Sequence, residues 1–330
     1  MNEKNSVISR IIITIISFFV LLGSSLLASC AKQSSQEIVE SVPYVFEGVM
    51  QAGVENAPPV EVILDTELPV VPEKVPVYQV QTVDEEYAQA LASRLGFNDG
   101  GSRPDNVSDP YVFSRDSGSG RFEGDAMRLE VYQDGRISMY GPGPSIKNAP
   151  ENLPSFEEAT KIARDWLVSY NLYPPNVINV EKGGGLVVTK AATGESIPYS
   201  TIVKFETSLG DYDVYTPGAR VEIGDNGKIL HVWVNIAQLK EYGFVSIKTP
   251  EAALNLLKAR LASLSANPPE ARETIINLRY FEQLSLTRVT LQYAYGGGYL
   301  QPIYVFEGNA YSEQDPNLDA FRGKVDAVAR

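Results

Sequence analysis

One cysteine and one histidine, Cys30 and His231, are all the thiol and imidazole that this 330-residue chain possesses. A lone thiol has no partner for an intramolecular disulfide, so stability has to come from core packing. Neither His/Cys metal-ligand spacing nor a second thiol is available for a zinc site. No Gly-x-Ser-x-Gly elbow accompanies the histidine, which leaves a Ser-His-Asp arrangement without its usual sequence signature. Positive charge is also short, with 28 Lys and Arg against 41 Asp and Glu and a net charge of -13. That balance argues against nucleic acid and against lying flat on anionic lipid. Gly183-Gly184-Gly185 and Gly296-Gly297-Gly298 lack the following helix and lysine of a phosphate cradle. The loop Asp116 to Asp125 misses the spacing of a calcium-binding EF-hand. No metal and no cofactor are expected.

What the chain does have begins at the N-terminus. Lys4 and Arg10 precede an apolar run from Ile11 to Leu22, and Leu27-Ala28-Ser29-Cys30 follows. A basic start, a short apolar run and small residues before a cysteine form the layout of a secretory signal. The uninterrupted run is shorter than the roughly 20 residues that span a bilayer core, which weighs against the other reading, an uncleaved anchor with Cys30 as a bystander thiol. The segment resembles the lipobox of bacterial lipoproteins. That resemblance implies cleavage between Ser29 and Cys30 and a diacylglycerol, palmitate-type anchor on the Cys30 sulfur. Two chains give stable membrane attachment where one does not. The expected location is the extracytoplasmic side of a cell membrane, held by lipid.

Residues 30–75 read as a lipidated tether and a Pro-rich stalk. Ala31 to Val42 is rich in Ser, Gln and Glu without amphipathic period, and Pro58-Pro59, Pro69, Pro72 and Pro76 favour an extended path, either a stalk or an edge strand. Beyond it the chain says one thing three times, over 76–148, 154–245 and 246–330. The first unit has a strand at Val77 to Val80, then a helix near Glu85 to Leu95 capped by Thr82 and stopped at Gly96. Strands at Tyr111 to Ser114, Met127 to Gln133 and Arg136 to Tyr140 follow, the last two around the hairpin signal Asp134-Gly135. The second has Ser155 and Glu158 as a capping box, an apolar stripe from Phe156 to Tyr170 and Pro174-Pro175 as its stop. Its strands fall at Leu186 to Thr189, Tyr199 to Thr207, Arg220 to Ile223 and Ile229 to Ile236. The third opens with Thr249 as N-cap and Pro250 at the first helical position, then strands at Leu284 to Tyr295, Leu300 to Phe306 and Lys324 to Val328. The expected class is α+β, tandem helix-on-antiparallel-sheet modules.

The hairpin Val221 to Val232 around Asp225-Asn226-Gly227 resembles the PepSY-type module of exported proteins. Thr249 to Leu254, Val289 to Tyr293 and Tyr299 to Phe306 are similar to the C-terminal part of the YycH/YycI proteins, extracytoplasmic regulators of a membrane sensor kinase. The resemblance implies a non-catalytic binding or regulatory module for an envelope protein partner: a sensor kinase, a protease or a secretion component. The chain departs from YycH/YycI in using a lipid anchor where they use a transmembrane helix.

Candidate contact residues are few. In Ile229 to Ile236, Leu230, Val232 and Val234 face one way and His231, Trp233 and Asn235 the other. Asp134, Glu222 and Asp225 lie in or beside hairpin turns, where Asp serves backbone chemistry. Trp233, Tyr295, Tyr299 and Tyr304 are the expected ligand or partner contacts, since exposed aromatics stack on sugars or anchor partners. An exposed strand edge or apolar patch would favour a protein partner, and a cleft lined by aromatics would favour an envelope glycan or small ligand. Paired acids in a cleft would favour a carboxylate-dependent hydrolase, the least favoured of the three.

Overall fold

Helices start in this protein where a short polar side chain meets the first unbonded amides. In the computed structural model, which describes residues 45–47, 60–97, 101, 106, 109–114, 127–141, 149–189, 194–266, 282–296, 298–312 and 315–329, three helices are present. Helix α1 (Glu85–Arg94) is capped by Asp84, whose side chain accepts from the Tyr87 amide at 2.9 Å. The expected cap was Thr82; Asp84 takes its place because it sits three residues before the amide it bonds. Helix α2 (Phe156–Ser169) carries the full capping box, with Ser155 Oγ accepting from the Glu158 amide and Glu158 accepting from the Ser155 amide. It ends at Asn171, at φ 53°, before Pro174 is reached. The Asn171 and Leu172 amides donate to the Val168 and Leu167 carbonyls at 3.0 and 2.8 Å, a Schellman closure that Asn tolerates in the left-handed conformation. Helix α3 (Pro250–Ala266) starts as expected, with Thr249 Oγ1 accepting from the Ala252 amide at 3.2 Å.

The strands follow in chain order as β1 (Val45–Glu47), β2 (Glu61–Leu64), β3 (Lys74–Val80), β4 (Tyr111–Ser114), β5 (Arg128–Val131), β6 (Arg136–Tyr140), β7 (Val177–Gly183), β8 (Val187–Thr189) and β9 (Ser196–Pro198). They continue as β10 (Thr201–Leu209), β11 (Tyr212–Asp213), β12 (Ala219–Ile223), β13 (Ile229–Asn235), β14 (Leu239–Ser246), β15 (Gln283–Gly296), β16 (Tyr299–Ser312) and β17 (Asp315–Asp326). An eight-stranded sheet has the order β11-β10-β12-β13-β6-β5-β4, with β7 also on β10. A seven-stranded sheet runs β1-β17-β16-β15-β2, with β3 joining β16 to β14. Only the short β8–β9 hairpin stands apart among the described residues. The protein is thus mixed α+β, mostly sheet.

Two cores result. Alternation in β5, β6, β12 and β13 sends Leu129, Met139, Val221 and Val232 to one face, where they meet Ala88 and Leu91 of α1 and Ala163 and Leu167 of α2. On the other sheet, Ala253, Leu257 and Leu261 of α3 pack on Leu284, Leu286, Tyr304 and Phe306. The strands following α1 and those following α2 belong to one sheet, because β6 pairs with β13 from Tyr140↔His231 to Arg136↔Asn235. The strand at Val77 to Val80, read as the opening of the first unit, lies in the other sheet beside β14 and β16. Within the Pro-rich stretch, Glu61–Leu64 is an edge strand, parallel to β15. The residues around Cys30 and the tether to Val42 lie outside the described residues. No described helix is long and apolar enough to cross a membrane.

Phe205 on β10 is fully buried while Ile178 on β7 is 52% exposed. Phe205→Ala is expected to cost about 3–5 kcal/mol, by lost transfer energy plus a cavity. Ile178→Ala should stay within about 0.5 kcal/mol. Urea unfolding followed by tryptophan fluorescence measures both, and equal costs would contradict the burial pattern.

Candidate functional site

Side chains opposite one another in an antiparallel ladder share a face, so the register of the eight-stranded sheet assembles its second face residue by residue. One row reads Glu130, Ser138, Trp233, Arg220, Lys204 and Glu181 from β5 to β7. The next row includes Tyr140, His231 and Glu222. This is the face away from α1 and α2, and His231, Trp233 and Asn235 are half-buried where Leu230, Val232 and Val234 are buried. The expected alternation of β13 is therefore present.

His231 is held from two sides. Its Nε2 lies 2.9 Å from Ser138 Oγ, and its ring stacks on Tyr140 with centroids 4.6 Å apart and 13° between planes. Burial lowers its pKa from the usual 6.5, and Arg220 lowers it further, while Glu222 and Glu130 pull it back up. The flanking carboxylates are engaged elsewhere. Glu222 accepts from Ser200 Oγ at 2.5 Å, and Glu130 accepts from Arg128 at 2.5 Å and from the Tyr132 hydroxyl at 3.0 Å. Ser138 and His231 sit as a hydroxyl and a base in contact. However, Ser138 is 4% exposed on a strand paired on both sides, so its neighbouring amides serve the ladder and do not point at a reacting oxygen. Among the described residues no three of His, Cys, Asp and Glu converge as metal ligands. What this face offers is a stiff, cross-bonded surface of aromatic and charged side chains.

A second feature lies where the two sheets meet. A cleft of about 350 Å³ is bounded by the α2–β7 connection, the end of β10, the loop before β12, the β13–β14 connection, Tyr295 of β15 and Leu300 of β16. Tyr295 is half-buried in its wall, and burial, with Asp134 adding to it, pushes its hydroxyl up to about 12 against a lowering by the Asn235 side chain. Asp134 is itself paired with Arg136 at 2.7 Å.

The four expected contact residues thus have different surroundings. Trp233 is on the polar face, between Ser138 and Arg220 in register. Tyr295 lines the cleft. Tyr299 packs edge-on against Tyr242, centroids 5.1 Å apart. Tyr304 is fully buried, its hydroxyl donating to the Lys248 carbonyl at 2.7 Å, so it is a core residue and touches no partner from the surface. Ser29 and Cys30 lie outside the described residues, as does the loop Asp116 to Asp125. Ser138 and Tyr140 were not singled out from the sequence; the alternation of β6 placed them on the outward face, but not beside His231. Nor was the cleft, whose signal is a set of connections without charge, such as Asn171 to Asn176 and Thr216 to Gly218. No protein-family model matches the chain, and no curated protein matches it.

Because His231 is the only histidine, its proton NMR titration is unambiguous. The midpoint is expected below 6.5, in the direction set by burial. The unfolded chain then binds the extra proton first, so this group's contribution to stability is complete above 6.5 and declines as pH falls through the folded pKa. His231→Gln should flatten that part of the stability profile. A midpoint above 6.5 would contradict the geometry.

Proposed function

We propose that the chain is a lipid-anchored extracytoplasmic protein, attached through Cys30, whose helix-on-sheet modules of the PepSY and YycH/YycI kind bind and regulate an envelope protein partner without catalysing a reaction. The partner classes are those of the resemblance: a sensor kinase, a protease or a secretion component. The observation that carries the reading is the outward face of β6, β13 and β12. Trp233, Tyr140, His231 and Arg220 stand there half-exposed or exposed on a sheet braced by cross-strand contacts. Trp, Tyr and Arg are the side chains that dominate protein interfaces, and a rigid sheet loses little entropy when they are covered. The net charge of -13 keeps the body soluble and off anionic lipid, consistent with a module presented on a tether. A second reading, binding of an envelope glycan or small ligand, draws on the cleft between the sheets.

The test is crosslinking in intact cells with an affinity tag after Arg330, followed by mass spectrometry. One envelope protein should be enriched over an unrelated lipoprotein, and Trp233→Ala should reduce that enrichment on the order of tenfold or more, the size of a hot-spot loss. Cys30→Ala should remain unprocessed and unlabelled by a fatty-acid probe. Unchanged enrichment in Trp233→Ala would overturn the assigned face, and normal labelling of Cys30→Ala would overturn the anchor.

A further inference from the structure

We propose that the cleft where the two sheets meet binds a neutral polyhydroxylated ligand, a short uncharged saccharide. This deepens the second reading given above, on which it rests, and names the chemical class of ligand; the partner-binding reading uses the outward face around Trp233 and His231 instead. The first observation is chemical. No residue lining the cleft is charged, although 21% of the chain is Asp, Glu, Lys or Arg. Its polar groups are instead amides and hydroxyls, among them Asn176, Thr207, Thr216, Asn235 and Gln238. Such groups exchange hydrogen bonds with sugar hydroxyls in both directions, whereas a phosphate or carboxylate would enter with no countercharge to offset its desolvation.

The second observation is an amide fixed in the wall. Asn235 Oδ1 accepts from the Ala237 amide at 3.0 Å, which fixes which end of the side chain is oxygen. The other end, Nδ2, is buried and faces the Tyr295 hydroxyl, an interaction that holds the pKa of this hydroxyl down against the effect of its burial. That pair ties the end of β13 to β15 and presets the Tyr295 ring at the wall of the cleft. The third is stacking area. Tyr295 and Tyr173 both line the cleft, and Tyr173 is braced edge-on against Phe205 with centroids 5.5 Å apart. Aromatic rings supply the flat apolar surface on which the C–H faces of a sugar lie.

The walls are preformed. A Cβ on Gly218 would stand 2.4 Å from Thr207 Cγ2 and 2.8 Å from Pro174 Cβ, so these segments already touch. Asn171 and Asn176 hold left-handed turns at φ 53° and 55° on either side of Pro174-Pro175. At about 350 Å³ the cleft is at the small end of ligand sites, which run from about 300 to 1,000 Å³. That size suits a free mono- or disaccharide, or the end of a glycan chain.

The experiment is saturation-transfer NMR and calorimetry on the full lipidated protein, in a detergent without a sugar head group. The probes are glucose, galactose, N-acetylglucosamine, maltose and cellobiose, with glucuronate and glucosamine as charged counterparts. Saturable binding of at least one neutral sugar is expected. It should weaken on the order of tenfold or more in Asn235→Asp and Tyr295→Ala, with Tyr295→Phe, which keeps the ring and the packing, weakened less than Tyr295→Ala. Competition by a soluble polysaccharide of the same sugar identifies a chain end as the ligand, and lack of competition identifies the free sugar; both support the site. Binding of no neutral sugar by protein whose circular dichroism is native would overturn the proposal. So would equal binding of the charged sugars, or binding undiminished in folded Asn235→Asp and Tyr295→Phe. Capture of the protein partner should be unaffected by these variants, and sugar binding unaffected by Trp233→Ala, so either reading can fail alone.

Discussion

The pairing of β6 with β13 is the constraint on which the rest of the eight-stranded sheet depends. It joins segments far apart in sequence, as the contact of Ser138 with His231, 93 residues apart, makes plain. Without it, β4, β5 and β6 would be a three-stranded sheet under the ten-residue helix α1, close to the smallest unit that is stable alone. With it, Leu129, Ile137 and Met139 share one core with Val203, Val221 and Val232, covered by both α1 and α2. The entropic cost of closing so long a loop grows only logarithmically with its length, while the apolar area gained grows with every strand added. The same ladder sets Ser138 and Tyr140 against His231 on the opposite face. Core formation and the outward face around His231 therefore share one register, and a slip of one residue would destroy both.

Local chemistry was readable where one or two residues decide the outcome. Asp134-Gly135 makes its hairpin with Gly135 at φ 83°, and Asp225-Asn226-Gly227 turns with Asn226 and Gly227 at φ 55° and 74°. The Ser155–Glu158 box and the Thr249-Pro250 start are likewise as the sequence indicates. What was hidden is long-range. Nothing local in Lys74–Val80 tells that it pairs with Leu239–Ser246, nor that β7 and β14, with exposed residues on both sides, are strands at all. Tyr304 shows the same limit, since β16 is covered on both faces between Leu300 and Phe306 and alternation there carries no information about exposure.

The two surfaces for which a role is proposed differ in chemistry and in how far the sequence disclosed them. The face around Trp233 and His231 was half legible, because one strand's alternation places both outward. Its remaining members come from β5, β6 and β12 through the ladder. The cleft was not legible, since it is made where connections from both sheets converge, and of its lining only Tyr295 stood out beforehand as a contact residue. One surface is rich in charge and aromatic groups suited to a protein, and the other is wholly uncharged. The two adjoin at β13, where Asn235 of the cleft stands two residues from Trp233 on the same side of the strand, while Ser138, Tyr140 and His231 line no part of the cleft.

The account rests on a single fused sheet, and native-state amide hydrogen exchange measures that most directly. If the β6–β13 ladder unites the two helix-bearing halves, the amides of β5, β6, β12 and β13 exchange with one common opening free energy, and α1 is lost together with α2 as denaturant rises. If α1 with β4, β5 and β6 opens separately and well before β10, β12 and β13, the halves are independent and the fused sheet is not what holds the outward face around His231 together.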